Sequence, residues 1–268
     1  MQILDGKKAK EHYLEQLRTR VIFLSSIPKL VVIQVGDRED SNSYIRSKKL
    51  FAEKLGAEVV HEKLSDKVKR EEIIKLIKKY NKDKTVNGII VQLPLPEHLK
   101  ADEIINEIDI TKDVDGLTDN AVFIPATARG IKELLEFYNI KLKNKKVTIL
   151  GRSKIVGKPT AKMCDNEGAK VTVCHSKTED VPSKTKKADI VIVAIGKPHM
   201  LDNKYFTEGQ IVVDVGITRV GDSLLGDVDF EKVKDIVSMI TPVPGGVGQM
   251  TVLALFENLV DSCYNSGL

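Results

Sequence analysis

Val147-Thr148-Ile149-Leu150-Gly151-Arg152-Ser153-Lys154-Ile155-Val156-Gly157-Lys158-Pro159 is the stretch that decides the fold of the second half of the chain. Its first four residues are apolar or β-branched, as a strand buried on both faces requires. Gly151 follows at once, and a helix is expected over 157–166. A strand that turns through glycine into a helix lets backbone amides approach a pyrophosphate. The spacing departs from Gly-x-Gly-x-x-Gly: Ser153 replaces the second glycine, and the later one, Gly157, comes one place late. Alone, the same spacing also suits an ordinary tight strand-to-helix turn.

Outward from this turn, near-continuous apolar runs predict strands at 170–173, 190–194 and 211–215. The next strand leads into Cys174-His175-Ser176-Lys177, where an NAD enzyme would usually place a carboxylate for the ribose 2′-hydroxyl. A carboxylate there would repel a 2′-phosphate, whereas hydroxyl and cationic groups bind one. Arg152 can add a bidentate guanidinium contact. Arg152, Ser176 and Lys177 therefore predict NADP over NAD, although Lys177 reads equally as a solvated surface charge.

The first half has the same grammar. Helices are expected over about 6–23 and from near Ser43 to Leu55, stopped by Gly56, with a strand at 30–35. Val59-Val60-His61, a charged helix carrying Ile73, Ile74, Ile77 and Tyr80 on one side, and Gly88-Ile89-Ile90-Val91-Gln92 follow. Alternating strands and helices predict an α/β domain with a largely parallel sheet. A boundary is expected around 116–140, where Pro125 and Gly130 lead into the helical stretch 131–138. The expected organisation is two α/β domains. The first spans 1–120 and is joined by a C-terminal helix within 251–268; the second, over 121–250, is a Rossmann-type doubly wound parallel sheet.

Composition is that of an ordinary globular protein, with 268 residues, 42% hydrophobic, 18 Gly and 9 Pro. The 42 basic and 38 acidic residues are spread along the chain, so no basic stripe points to nucleic acid. Cys164, Cys174 and Cys263 have neither metal-ligand spacing nor an even count, which argues against a disulfide framework and a metal site and for a reducing compartment. The N-terminus lacks a signal-peptide core and no apolar run could span a bilayer, so a cytoplasmic protein is expected.

Candidate functional residues stand out where polar groups interrupt apolar patterns. Tyr44, Lys48, Phe51, Ala52 and Leu55 share one helical face, so Lys48 sits where a hydrophobe belongs. It either snorkels to water or occupies a site that uses it. Gln92 ends an apolar strand before Leu93-Pro94-Leu95-Pro96, and Asp113-Val114-Asp115-Gly116 closes the first domain. Both lie where open α/β sheets bind ligands, though Gln92 also suits backbone pairing and the aspartates also suit a turn. Thr241-Pro242-Val243-Pro244-Gly245-Gly246-Val247-Gly248 is stiffened by prolines, and its glycines admit close approach of a flat ligand.

Taken together, Tyr44-x-x-x-Lys48, Val91-Gln92-Leu93-Pro94-Leu95-Pro96, Lys112-Asp113-Val114-Asp115-Gly116, Gly151-Arg152-Ser153-x-Ile155-Val156-Gly157-x-Pro159 and Pro242-Val243-Pro244-Gly245-Gly246-Val247-Gly248 resemble the bifunctional methylenetetrahydrofolate dehydrogenase/methenyltetrahydrofolate cyclohydrolase family. The motifs follow the family's order over nearly the whole chain. The resemblance implies two α/β domains flanking a cleft, folate bound between them, NADP on the Rossmann-type domain, a homodimer, and a place in one-carbon metabolism and purine biosynthesis. It implies catalytic roles for Lys48, Tyr44, Gln92 and Asp115. Tyr44 would stack on the aminobenzoyl group, Lys48 would be the central cyclohydrolase group, Gln92 would tune it, and Asp115 would hold the pterin. Val91, Leu93, Pro244, Gly245 and Gly248 would complete the folate pocket. Gly151, Arg152, Ser153, Gly157, Ser176 and Ile217 would contact the cofactor, and no metal is expected.

Those residue types suit the chemistry. A pterin edge presents adjacent N–H donors, for which a carboxylate is an acceptor-only partner. Hydride loss leaves a cationic amidinium whose repulsion depresses a nearby lysine, and a partly neutral lysine can act as a general base. Two departures stand out. Pro125-Ala126-Thr127-Ala128-Arg129-Gly130 replaces the family's Pro-Cys-Thr-Pro-x-Gly, and Gln249 stands where proline is more usual. Both are expected to act on loop stiffness and cleft width. The competing readings are a non-catalytic folate- or dinucleotide-binding paralogue and a dehydrogenase of the same fold with another substrate.

Overall fold

A computed structural model describes residues 1–265; the expected C-terminal helical piece therefore runs past the described residues at 266–268. In order, the chain forms β1 (Gln2–Ile3), α1 (Gly6–Ile22), β2 (Lys29–Val35), α2 (Glu39–Leu55), β3 (Glu58–Leu64), α3 (Arg70–Lys82), β4 (Gly88–Val91) and α4 (Ala101–Ile105). It continues through α5 (Ala126–Phe137), β5 (Lys146–Leu150), α6 (Gly157–Asn166), β6 (Lys170–Cys174), α7 (Val181–Lys186), β7 (Ile190–Val193) and β8 (Ile211–Asp214). Last come β9 (Thr218–Val220), β10 (Ser223–Leu225), α8 (Phe230–Val233), β11 (Met239–Ile240) and α9 (Val247–Asn265).

These elements divide into two compact units, residues 1–11 with 127–251, and residues 12–126 with 252–268. In the first, six strands run in the order β1-β11-β8-β7-β5-β6, with every pairing parallel. After β1 at the far edge, the chain re-enters this sheet at β5, moves outward to β6, then returns to β7 on the other side and continues to β8 and β11. The order therefore reverses at β5, which is the switch point of a doubly wound sheet. Ile190, Val191, Ile192 and Val193 are all fully buried, as their unbroken apolar run requires. Gln2 and Ile3 pair with Met239 and Ile240 in this sheet, so the first residues belong to this unit rather than to 1–120 as expected. Two residues are too short to show a period; their place is fixed by the strand they join.

In the second unit β3-β2-β4 form a parallel sheet. Val31, Ile33 and Val35 face α3 and pack with Ile73, Ile77, Ile89 and Val91. Gln34, alternating to the other face, is also buried and donates to Asn42. α2 begins at Glu39, four residues before the expected start. The polar run Gly36–Ser43 reads as loop, but Glu39 and Asp40 in the first turn complement the helix dipole. From Val252 onward α9 packs within this unit: Phe256 meets the Phe51 ring at 5.0 Å, and Asn258 donates to the carbonyls of Val114 and Ile124.

Where β4 begins, a Cβ on Gly88 would lie 2.8 Å from both Leu259 Cδ1 and Val114 Cγ2. Gly88→Ala should therefore overpack this junction and lower stability by about 1–3 kcal/mol, read as a reduced urea midpoint. An unchanged midpoint would contradict the packing described.

Candidate active site

On α2, Lys48 lies in the middle of the buried arc, with Ile45 and Ala52 to one side and Phe51 and Leu55 to the other. It is half-buried and donates from Nζ to Gln92 Oε1 at 2.7 Å. Gln92 follows β4, and its own Nε2 donates to the Leu93 carbonyl at 2.9 Å. That second bond fixes the amide with its oxygen towards the lysine. The backbone N–H of Gln92 donates to Ile33 O at 2.8 Å, which places the residue at the carboxyl edge of the sheet. Tyr44, one turn before Lys48, has its ring centroid 5.9 Å from Nζ. Burial pushes the Tyr44 phenol up, with the Asp40 charge adding to it. Val91 points into the core with Ile89, so only its backbone faces away from that core.

The loop that carries Asp115 is built by its neighbours. Asp113 is buried, and its carboxylate accepts from the N–H of Gly116 at 3.0 Å and of Thr118 at 2.7 Å. Lys112 donates to the carbonyls of Tyr80, Asn81 and Asp83, closing the C-terminus of α3. Asp113 thus serves the turn that the sequence allowed for, while Asp115 is left to act electrostatically on Lys48. Burial pushes Asp115 up to about 6, opposed by Lys48 and helped by Asp113. Burial likewise holds Lys48 below the ordinary lysine value, and Asp115 pulls it partway back. Both groups are driven towards their neutral forms, and their mutual attraction resists this.

In the first unit Gly151 sits at the switch point with φ +115. A Cβ there would lie 2.1 Å from the Ala194 carbonyl oxygen, so the exits of β5 and β7 approach as closely as only glycine allows. A Cβ on Gly157 would lie 2.4 Å from Gly151 O, which makes Gly157 the residue that seats α6 on the turn. Ser153 Oγ accepts from the N–H of Val156 and of Gly157, both at 3.2 Å, and so keeps its own hydrogen to donate outward. Arg152, Ser176, Lys177 and Ile217 are exposed. Beyond β6, the His175 N–H donates to Thr178 Oγ1 at 2.9 Å and His175 Nδ1 accepts from the Lys177 N–H at 3.2 Å, which fixes the turn that presents Ser176.

The 242–248 loop belongs to this unit as well. Gly245 has φ +112, and its carbonyl accepts from the Gly6 N–H at 2.9 Å. A Cβ on Gly248 would meet nothing within 4 Å, so packing inside the chain does not demand glycine there. Pro244 is exposed. At the departure next to it, the Gln249 N–H donates to Gly246 O at 3.1 Å and its side chain accepts from Lys10. A proline could make neither bond. Ala126 and Ala128, at the other departure, are buried, and the Ala126 N–H donates to Asp115 O at 3.1 Å.

Sequence reasoning missed Asp214 and Asp227, two buried carboxylates beside the turns after β7 and β8. The signal was present: an aspartate ends the apolar run Ile211-Val212-Val213, and charge at the end of a buried strand needs a partner.

A parallel sheet with a glycine turn at its switch point, in a chain whose other unit holds a partnered lysine on a buried helix face, defines an α/β dinucleotide-binding enzyme. Residues 4–115 match the tetrahydrofolate dehydrogenase/cyclohydrolase catalytic domain, and residues 125–266 match that family's NAD(P)-binding domain. The chain is 47% identical over 266 residues to the bifunctional protein FolD of Acholeplasma laidlawii, covering 96% of each. The solved structure of the bifunctional FolD enzyme from Campylobacter jejuni superposes with a TM-score of 0.95 at 42% identity, covering 99% of each chain. That of Trypanosoma brucei FolD, complexed with NADP cofactor and inhibitor, gives 0.93 at 32% identity, covering 99% of this chain and 98% of that one. The chain belongs to the tetrahydrofolate dehydrogenase/cyclohydrolase family. It is a bifunctional dehydrogenase/cyclohydrolase of one-carbon metabolism. Among the described residues no helix is long and apolar enough to cross a membrane.

The electrostatics of Lys48 can be tested without turnover. Asp115→Asn removes the negative charge that favours the ammonium, so the Lys48 titration followed by NMR should move further down. An unchanged or raised value would show that the two groups do not communicate.

Proposed function

We propose that the protein oxidises 5,10-methylenetetrahydrofolate with NADP and hydrolyses the 5,10-methenyl product to 10-formyltetrahydrofolate, as a cytoplasmic homodimer. The observation that carries the residue assignment is the 2.7 Å bond from Lys48 to Gln92 on a helix face shared with the buried Ile45, Phe51, Ala52 and Leu55. A binding paralogue has no use for the cost of that lysine.

Lys48 is the general base of the hydrolysis. Gln92 accepts one hydrogen from the amine, and because its own amide is tied to Leu93 O it presents no competing donor. The neutral amine therefore keeps its lone pair for the attacking water. Water oxygen bonds to the methenyl carbon and one of its protons passes to Lys48; the second leaves the resulting hydroxyl as the formyl C=O forms, and N5 takes it up as the bond from that carbon to N5 breaks, so the net proton released is the one on Lys48. The cationic substrate itself favours the neutral lysine, in the same direction as burial. Asp115, ionised, accepts from the pterin N–H edge, and Tyr44 lies against the aminobenzoyl group. We assign Val91, Leu93, Pro244, Gly245 and Gly248 to folate contacts; the open space at Gly248 and the left-handed backbone of Gly245 suit close approach of a flat group.

NADP supplies the hydride acceptor when bound. The residues present fit it: Gly151 and Gly157 make the tight strand-to-helix turn, and Ser153 offers an outward hydroxyl at the N-terminus of α6. Arg152 and Ser176 read the 2′-phosphate and Ile217 contacts the cofactor; no carboxylate stands in the Cys174–Lys177 segment to repel it. Hydride transfer needs positioning rather than a protein acid or base. Three free, buried cysteines suit a reducing compartment. β6 is an edge strand with Val173 exposed, a surface suited to pairing with a second copy, which sedimentation of the dilute protein would read.

Lys48→Met should lower methenyl hydrolysis by on the order of 10²–10⁴ while hydride transfer persists, so that methenyl accumulates. Equal loss of both activities with folate affinity intact would remove Lys48 from this role.

A further inference from the structure

Between β8 and the chain beyond β10, residues 217–225 leave the main sheet as the antiparallel hairpin β9-β10. Its base is closed by two buried aspartates, Asp214 at the end of β8 and Asp227 just after β10. Asp227 Oδ2 accepts from the N–H of Ile195 at 2.7 Å and of Gly196 at 2.9 Å, and its Oδ1 accepts from the N–H of Lys197 at 2.7 Å. Asp214 Oδ1 accepts from the N–H of Gly216 at 3.0 Å and of Asp227 at 3.1 Å, and its Oδ2 from that of Val228 at 2.9 Å. The packing is reciprocal. A Cβ on Gly216 would lie 2.2 Å from Asp227 Cγ, and one on Gly226 would lie 2.1 Å from Asp214 Oδ2. Each carboxylate thus fills the space that the glycine beside the other leaves open.

The backbone these groups hold lies at the carboxyl ends of β7 and β8. In a doubly wound sheet a dinucleotide lies across the switch point, outside the carboxyl ends of the strands. Ser176, after β6, marks the adenosine end under the reading above, so the other half must extend over the exits of β7 and β8. The turn 195–197 and Ile217 lie at those exits. Asp227 is fully buried and cannot itself touch a ligand; it can only set the backbone that does.

We propose that Asp227, with Asp214, is a positioning residue for the nicotinamide half of the cofactor, holding the turn 195–197 and the start of the β9-β10 hairpin in their binding geometry. The inference rests on the assignment of the first unit as the NADP site. Replacing the Asp227 carboxylate by an amide leaves a single oxygen for the three backbone donors and sets an NH2 group against the others, and the turn loosens while the 2′-phosphate contacts at Arg152 and Ser176 stay in place.

The test compares wild type with Asp227→Asn in three measurements on the same preparation: NADP affinity by calorimetry, the KM for NADP and for NAD in the dehydrogenase reaction, and dinucleotide-free hydrolysis of methenyl-tetrahydrofolate. The expected result is a rise of about tenfold or more in both dinucleotide KM values and in the NADP dissociation constant. The preference for NADP over NAD and the hydrolysis rate should stay within about twofold of wild type, a difference too small to count as loss of a contact. Gly216→Ala leaves both carboxylates in the chain but drives a methyl against Asp227, and should give the same selective loss. Unchanged dinucleotide affinity, parallel loss of hydrolysis, or failure of both variants to fold would overturn the positioning role. Wild type that binds neither dinucleotide would instead overturn the assignment of the site.

Discussion

A lysine on the buried face of a helix must be given a partner, and much of the folate-reacting unit is arranged around giving Lys48 one. The ammonium loses water by its position on α2, and the 2.7 Å bond to Gln92 replaces part of what is lost. Gln92 can serve only because β4 ends where it does and because Leu93 O holds its amide in one orientation. The Asp115 charge then opposes the full effect of burial on the lysine, and Asp113 shapes the turn from which Asp115 acts. Each partner is set in place by its own stretch of sequence: apolar runs in β2 and β4, a polar residue at a strand end, and a glycine after an aspartate pair.

The dinucleotide unit follows a different rule, in which space rather than charge decides. Gly151 lets the exits of β5 and β7 meet, Gly157 seats α6, and Gly216 and Gly226 admit two carboxylates to the base of a hairpin. Side chains at these positions would push these turns apart. Ser153, standing where a second glycine is usual in such turns, uses its hydroxyl to cap α6, so the departure from the glycine pattern keeps the helix terminus intact.

Much of this was legible in the sequence where one physical cause dominates. Strands buried on both faces announce themselves, so Ile190–Val193 and Val147–Leu150 were readable as sheet interior. Lys48 was readable because a charge breaks an apolar helical period. What could not be read is what depends on distant partners. Gln2 and Ile3 form a strand only because Met239 and Ile240 are there to pair with. The early start of α2 is hidden by polar residues that suit both a loop and a first helical turn. Lys48 and Gln92 are separated by 44 positions, and nothing local joins them. Asp227 gives no local sign that its acceptors will be used by a turn 30 to 32 residues earlier. Gln249 reads as the loss of a proline, yet it gains a backbone bond and a partner in Lys10.

The most direct measurement of the central claim is a two-signal assay of the purified wild-type protein with methylene-tetrahydrofolate, following reduced dinucleotide and methenyl absorbance separately, with NADP and NAD in parallel. The account predicts reduced dinucleotide without methenyl build-up, and more efficient turnover with NADP. Persistent methenyl accumulation would contradict the role given to Lys48 and Gln92, a preference for NAD would contradict the reading of Arg152 and Ser176, and no turnover with either would contradict the proposed function as a whole.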